Sequence, residues 1–279
     1  MSQKPDPHIS AEVKINLTIL VLGAMVMILN ETALSVALPA IMADFDIPAT
    51  SAQWLLTGFL LTMGVVIPTT GFLMDKFTTR QIFLASAGVF LAGTVFAALA
   101  PAFGILLVGR VFQAAGTALM IPTLMTVAMT LVPPQRRGSV MGIISVVISV
   151  APALGPTVGG LVLSMSSWHV IFWTMVPLLG LIGVAGYLRL VNVGDKRDTP
   201  LDFPSVIMSV LAFGGLVYAV SSLENILEGE GLIDILVLAI GLVALALFTL
   251  RQVRLAKDNR ALLDMRPFKV PNFTVAVLG

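Results

Sequence analysis

Cysteine is absent from the 279 residues, which excludes disulfide frameworks, iron–sulfur clusters and cysteine-based zinc sites. Histidine is nearly absent: His8 and His169 are the two, and no Ser/His/Asp or metal-ligand set can form from them inside a membrane, so an enzyme is not expected, nor a metal or other cofactor. Charge is scarce as well. Asp, Glu, Lys and Arg make up 11% of the chain, against about 25% in an average soluble domain. Sixteen basic residues offset fifteen acidic ones for a net charge of +1, which leaves no basic surface for nucleic acid. What fills the chain is apolar: 57% hydrophobic residues and a mean hydropathy of +1.00. These values describe a protein whose solvent is the lipid bilayer.

The few charges are clustered, and the gaps between them mark the spans. Charge-free runs cover 15–30, 47–74, 81–109, 111–135, 138–188, 203–223 and 235–250. About 20 apolar residues cross a hydrocarbon core of about 30 Å. The run 138–188 is too long for one crossing and holds the polar, turn-like Ser164–His169 near its middle, so it contains two. The first run continues past Glu31 to Pro39 and, lacking an A-x-A-like cleavage site, reads as a retained helix rather than a signal peptide. Eight spans result, at roughly 15–38, 52–74, 82–100, 104–131, 139–163, 170–190, 204–222 and 232–250. The runs are too long, and alternate too little, for a β-barrel.

Basic residues favour the cytoplasmic side. Fifteen of the sixteen fall in the loops and ends of one side, and Arg110 alone lies inside a span, while the opposite loops carry only acids such as Asp44, Asp46 and Glu224. Both ends of the chain are therefore expected to be cytoplasmic. The expected organisation is a cytoplasmic N-terminus over 1–14, a six-helix bundle over 15–190, a cytoplasmic loop over 191–203, two further transmembrane helices over 204–250, and a basic segment over 251–279. That last segment ends in the apolar run 273–279, too short to span a bilayer. It reads either as a hydrophobic tail or as the beginning of a ninth helix, in which case the chain is the N-terminal portion of something longer.

Two charges lie within spans, where each costs about 3 kcal/mol on insertion scales. Glu31 stands eight residues before Pro39 and Arg110 six residues after Gly104. At about 1.5 Å per residue both lie roughly 10 Å below the outer boundary. Equal depth and opposite sign point to a pair, direct or through water. Such a pair is either a salt bridge that fixes helix packing or a proton or cation site in a polar cavity. Burial and a neighbouring guanidinium act in opposite senses on a carboxyl's hold on its proton, so a site of this kind can load and release protons as water access changes. Gln113, one turn from Arg110 on the same face, belongs with the proton-coupling pair, and Asn30 and Thr32 beside Glu31 are candidates for lining the substrate cavity.

Glycine and proline inside spans are the second signal. The fifth span carries Gly155-Pro156-Thr157-Val158-Gly159-Gly160. Gly155 and Gly159 form a small-xxx-small ridge that admits another helix, and Pro152 and Pro156 each remove a backbone hydrogen bond. The segment is either a packing seam or a hinge. The turn after the second span holds Asp75, Lys76 and Arg80, either a solvated turn or a cytoplasmic latch between bundles.

Together these segments resemble the major facilitator superfamily. Gly71-x-Leu73-x-Asp75-Lys76-x-x-x-Arg80 resembles its loop 2–3 motif, Arg110-x-x-Gln113-x-x-Gly116 its fourth-helix motif, and Gly155-Pro156-x-x-Gly159-Gly160 the fifth-helix motif of drug:proton antiporters. Asn30-Glu31-Thr32 through Pro39 is similar to the first-helix signature of the fourteen-helix branch, the EmrB/QacA type, which carries two extra helices between its six-helix halves. The chain departs from those patterns at Thr78 and Ala114, where glycine is usual, at Ala151, and at Glu31, where many relatives carry Asp. His169 stands where relatives often carry Arg, and reads as an outer turn residue rather than a proton carrier.

The resemblance implies an all-α integral membrane fold: the N-terminal six-helix bundle plus two additional transmembrane helices, with the C-terminal bundle absent. It further implies export of lipophilic, often cationic, compounds across the plasma membrane in exchange for protons. Glu31, Arg110 and Gln113 would couple the protons; Asp75, Lys76, Arg80, Gly155, Pro156, Gly159 and Gly160 would serve the conformational change. Inverted three-helix repeats would make the first and fourth spans equivalent cavity-lining members. The implied partners are the small-molecule substrate, protons, the bilayer and the missing C-terminal bundle. An uptake carrier and a non-transporting half-size membrane subunit are the other readings.

Overall fold

A computed structural model describes residues 9–193, 202–223 and 231–256. Every regular element among them is helical: α1 (Ala11–Phe45), α2 (Ala49–Ala52), α3 (Trp54–Lys76), α4 (Thr79–Ala98), α5 (Phe103–Leu131), α6 (Pro134–Met165), α7 (His169–Arg189), α8 (Phe203–Ser221) and α9 (Leu232–Leu255). In hydrocarbon a helix satisfies its backbone polar groups internally, which is why apolar segments of this length take that form. Each of the eight expected spans contains one long helix, with the short α2 preceding α3. Seven spans are at least 18 residues long and apolar enough to cross a membrane, α2 and α3 counting as one, and the apolar stretch of α8, Pro204–Val220, falls just short. The helices outrun the charge-free stretches. α1 has 35 residues, about 50 Å at 1.5 Å per residue. The apolar run at 273–279 lies outside the described residues.

Local chemistry sets the ends. Ser10 caps α1, its hydroxyl accepting from the Val13 amide at 3.3 Å, and Asp46 closes it in a left-handed conformation with φ 50° and its N–H on the Met42 carbonyl. Thr78 and Gln81 form a capping box at the start of α4, with the Gln81 amide on the Thr78 hydroxyl at 3.2 Å and the Thr78 amide on the Gln81 carboxamide oxygen at 3.0 Å. The residue in glycine's usual place in the loop motif is thus a helix cap with φ −71°, where no glycine is needed.

The chain divides into two compact units. The first comprises Met1–Phe59 and Phe77–Lys196, and the second Leu60–Lys76 and Arg197–Gly279. This differs from the expected bundle over 15–190, because most of α3 groups with α8 and α9. Side chains explain the grouping: Phe72 shares an apolar cluster with Phe248, with Phe213 packed against it, and a Cβ added at Gly64 would meet Val217 at 3.3 Å.

Within the first unit α1 packs on α5, α6 and α7, and α4 packs on α5 and α7. One apolar cluster gathers Leu20, Met27, Phe83, Phe90, Met120 and Leu124, and another Leu34, Ile41, Leu55, Leu106, Ile171 and Phe172. Polar clamps close the ends. The Trp168 indole donates to Asp44 at 3.0 Å and ties the start of α7 to α1. After α7, the backbone amide of Val191 donates to Asn16 at 2.8 Å and that of Val193 to Thr79 at 3.2 Å.

Candidate functional site

Arg110 is fully buried on α5, and three helices arrange its surroundings. Its Nε donates to the Leu55 carbonyl at the start of α3 at 3.2 Å, and Nη1 donates to Gln113 Oε1 at 3.0 Å. Gln113 passes the chain on, donating from Nε2 to Thr94 Oγ1 of α4 at 3.0 Å, and Thr94 donates to the Phe90 carbonyl at 2.8 Å. The guanidinium lies over the Phe59 ring at 4.2 Å, a contact that gains strength when desolvated. The i, i+3 spacing of Arg110 and Gln113 puts both on one face, and Arg supplies the planar fork that reaches a carbonyl and a carboxamide together.

Two buried groups are left open. Arg110 Nη2 and both polar atoms of the Asn30 side chain have no hydrogen-bond partner among the described residues. Such orphans are rare because each costs the full desolvation of the group. Glu31, next to Asn30 on α1, is half-buried. Its carboxylate forms no ion pair with Arg110, yet the two charges act on each other through space. The direct salt bridge entertained for these residues does not form: Nε and Nη1 of the guanidinium go to Leu55 and Gln113, and Nη2 stays open.

Thr32, in contrast, is absorbed by its own helix. Its hydroxyl donates to the Ile28 and Leu29 carbonyls at 3.1 and 3.2 Å, and its side chain stands where a Cβ at Gly155 would collide with it. A Cβ at Gly159 would lie 2.7 Å from the Ala33 carbonyl oxygen. Gly155 and Gly159 are thus the positions at which α6 meets α1, at Thr32 and Ala33, one and two residues beyond Glu31 in sequence. Pro156 is exposed and Gly160 half-buried, with open space where its Cβ would stand. The fifth-span motif therefore splits into a seam of two glycines and a free face.

Asp75 and Lys76 are exposed on the last turn of α3, in the second unit. Arg80 belongs to the first unit, where its guanidinium donates to the Tyr187 carbonyl and lies over the Tyr187 ring at 4.6 Å, and its amide donates to Asn192 at 3.2 Å. His169 is the first residue of α7, its ring stacked on that of Trp168 at 3.6 Å.

Sequence reasoning missed Leu55, Phe59 and Thr94 around Arg110. A backbone acceptor and a ring face leave no sequence signal, whereas Thr94, a hydroxyl in a span, was available. It also missed the pair at the base of α8 and α9: Arg251 grips Asp202 with Nε and Nη2, both at 2.7 Å. Ser205 donates to the same carboxylate and receives Gln252 Nε2 at 2.8 Å. The Arg251 hydrogen bonds pull the Asp202 pKa down to about 2.

Comparison with known proteins follows the same lines. Residues 20–253 match the family model described as the Major Facilitator Superfamily. The chain is 42% identical over 261 residues to an uncharacterized MFS-type transporter, YcnB, of Bacillus subtilis, covering 93% of this chain and 54% of that protein. It is 40% identical over 250 residues to the lincomycin resistance protein LmrB of Listeria monocytogenes, covering 89% of this chain and 52% of that one. Among solved structures, the human organic anion transporter MFSD10 superposes with a TM-score of 0.60 at 16% identity, over 76% of this chain and 56% of that one, a likeness of fold. The chain spans about half the length of the curated relatives it matches.

Proposed function

The chain belongs to the major facilitator superfamily, a family of multi-pass membrane transporters, and from that premise we propose that it serves in proton-coupled export of lipophilic, often cationic, compounds across the plasma membrane. One relative is named for lincomycin resistance, and the Gly155–Gly160 motif is of the exporter type. The observation that carries the reading is the open couple at membrane depth: a half-buried Glu31 carboxylate without a bonded partner among the described residues, near a buried Arg110 that hydrogen bonds hold in place.

In this reading Arg110 is the fixed charge and Glu31 the variable one. With the Glu31 proton released, the couple is neutral overall and a cationic substrate finds a carboxylate. With the proton bound, the carboxylate's attraction is gone, and the site is left with the uncompensated guanidinium and releases the cation outward. Gln113 and Thr94 orient Arg110, so that the switch rests on one titrating group. Asn30, with two open polar atoms beside Glu31, offers a hydrogen bond to the carboxyl, to water or to substrate. The packing of α1 on the Gly155–Gly159 seam transmits movement of α1 to α6. Cytoplasmic termini follow from the basic loops, and alternating access requires a second bundle, for which the relatives' greater length leaves room.

The test is proton-gradient-dependent ethidium efflux from cells expressing the natural gene that encodes this chain, as wild type and as Glu31→Gln. The expected result is efflux by the wild type, abolished in Glu31→Gln at unchanged membrane abundance. Normal efflux in Glu31→Gln would make the couple structural, and inward flux would favour an uptake carrier.

A further inference from the structure

The second unit carries an apolar groove that the export reading does not use. Between α8 and α9 lies a hollow of about 570 Å³, walled by Ile207 and Leu211 on one side and Ile240 and Val243 on the other. Met208 and Leu247 belong both to its wall and to an adjoining hollow of about 400 Å³ that ends at Arg254. The two hollows thus form one path, apolar at its start and cationic at its end. On α9 the path follows Ile240, Val243, Leu247 and Arg254, spaced at helical turns along one face.

The dimensions suit one leaflet. From Ile240 to Leu250 the helix rises about 15 Å, half of a hydrocarbon core of about 30 Å. Arg254 follows one turn later, at the depth of a headgroup. The groove is accessible, with Ile207 61% and Val243 59% exposed. It is also stiff. A Cβ at Gly215 would lie 2.9 Å from the Gly241 Cα, so the two backbones touch at the crossing, and the Asp202–Arg251 grip fixes the helix ends at the other extreme. Because Asp202 neutralises Arg251, the net positive charge at the mouth, among the described residues, is that of the exposed Arg254.

We propose that this groove binds an anionic glycerophospholipid of the leaflet on the Arg254 side, one acyl chain along Ile207–Leu211 and Ile240–Leu247 and the headgroup phosphate at Arg254. Charge complementarity selects the occupant: a zwitterionic lipid fills the same groove and gains less from Arg254, since a basic residue near an anionic lipid surface contributes about 1 kcal/mol. The site is independent of whether the protein transports drugs.

The experiment reads lipid retention by native mass spectrometry of the purified full chain, released from nanodiscs holding equal phosphatidylglycerol and phosphatidylcholine of identical acyl composition. Phosphatidylglycerol should be retained in preference, and Arg254→Gln should cut that preference about five-fold, the equivalent of 1 kcal/mol, leaving phosphatidylcholine unchanged. Val243→Trp, which fills the groove, should lower retention of both lipids while Arg254 is intact. A photoactivatable acyl chain should cross-link to α8 or α9 near Ile207 and Ile240. Equal retention of the two lipids by the wild type, a preference untouched by Arg254→Gln, or cross-links confined to other helices because another segment or a second copy covers the groove would each overturn the proposal. Monodisperse elution of each variant establishes that folding is intact.

Discussion

Two acid–base couples stand out among the described residues, one in each unit, and they are built in opposite ways. Asp202 and Arg251 are closed: two hydrogen bonds of 2.7 Å join them, and Ser205 and Gln252 complete the network. Glu31 and Arg110 are open: the arginine is fully buried and hydrogen-bonded to Leu55 and Gln113, and the carboxylate makes no ion pair with it. The difference lies in what each guanidinium holds. Arg251 grips its acid with Nε and Nη2 and fixes two helix ends; Arg110 turns Nε and Nη1 to a carbonyl and a carboxamide, with Nη2 open and its acid unbonded. A carboxylate and a guanidinium thus yield a staple in one place and the elements of a switch in the other.

The comparison breaks most severely at Arg110. Arg110→Ala should abolish efflux and lower the thermal unfolding temperature in detergent, because the Gln113 carboxamide oxygen then lies buried without its donor, at about 1–3 kcal/mol. Retained efflux would remove the fixed charge from the account.

A second test concerns the scaffold that carries Glu31. Gly155→Leu should destabilise by about 1–3 kcal/mol through overpacking against Thr32 and Ala33, whereas Gly160→Ala, with nothing within 4 Å of the new Cβ, should be neutral to within about 0.5 kcal/mol. Thermal unfolding of both variants decides it, and equal effects would deny that the seam is specific.

The smallest effect is expected at the closed couple. Asp202 has its pKa depressed to about 2, below an unfolded value of about 3.9. A depressed carboxyl contributes stability that is complete above the unfolded value and is lost as pH falls through the folded one. The spacing between spin labels on the adjoining ends of α8 and α9 should therefore hold constant from pH 8 to about pH 4 and lengthen only toward about pH 2. Asp202→Asn should remove that acid limb. A change near neutrality would contradict the assignment.

Much of the fold was legible, for one physical reason: hydrocarbon excludes charge, so the spaces between Lys, Arg, Asp and Glu locate the helices. The same exclusion singled out Glu31 and Arg110 as residues needing a reason to be where they are. The ends were less legible, since α1 runs on to Phe45 through residues that tolerate both lipid and water. The grouping of α3 with α8 and α9 depends on side-chain contacts such as Gly64 with Val217, which no periodicity announces. Thr78 and Gln81 were readable as a capping box from their spacing, but a family pattern drew attention to a missing glycine instead. Leu55 was beyond reach, because every residue has a carbonyl and only the fold decides which one meets a guanidinium.

The account's central claim is that the Glu31 carboxyl carries the proton. The most direct measurement is proton release into weakly buffered detergent solution when a cationic substrate is added to the purified protein, with Glu31→Gln alongside. The account predicts release on substrate addition by the wild type and none by Glu31→Gln, with substrate binding still detectable and no longer dependent on pH. Equal proton release by both proteins would contradict it and move the proton to another group.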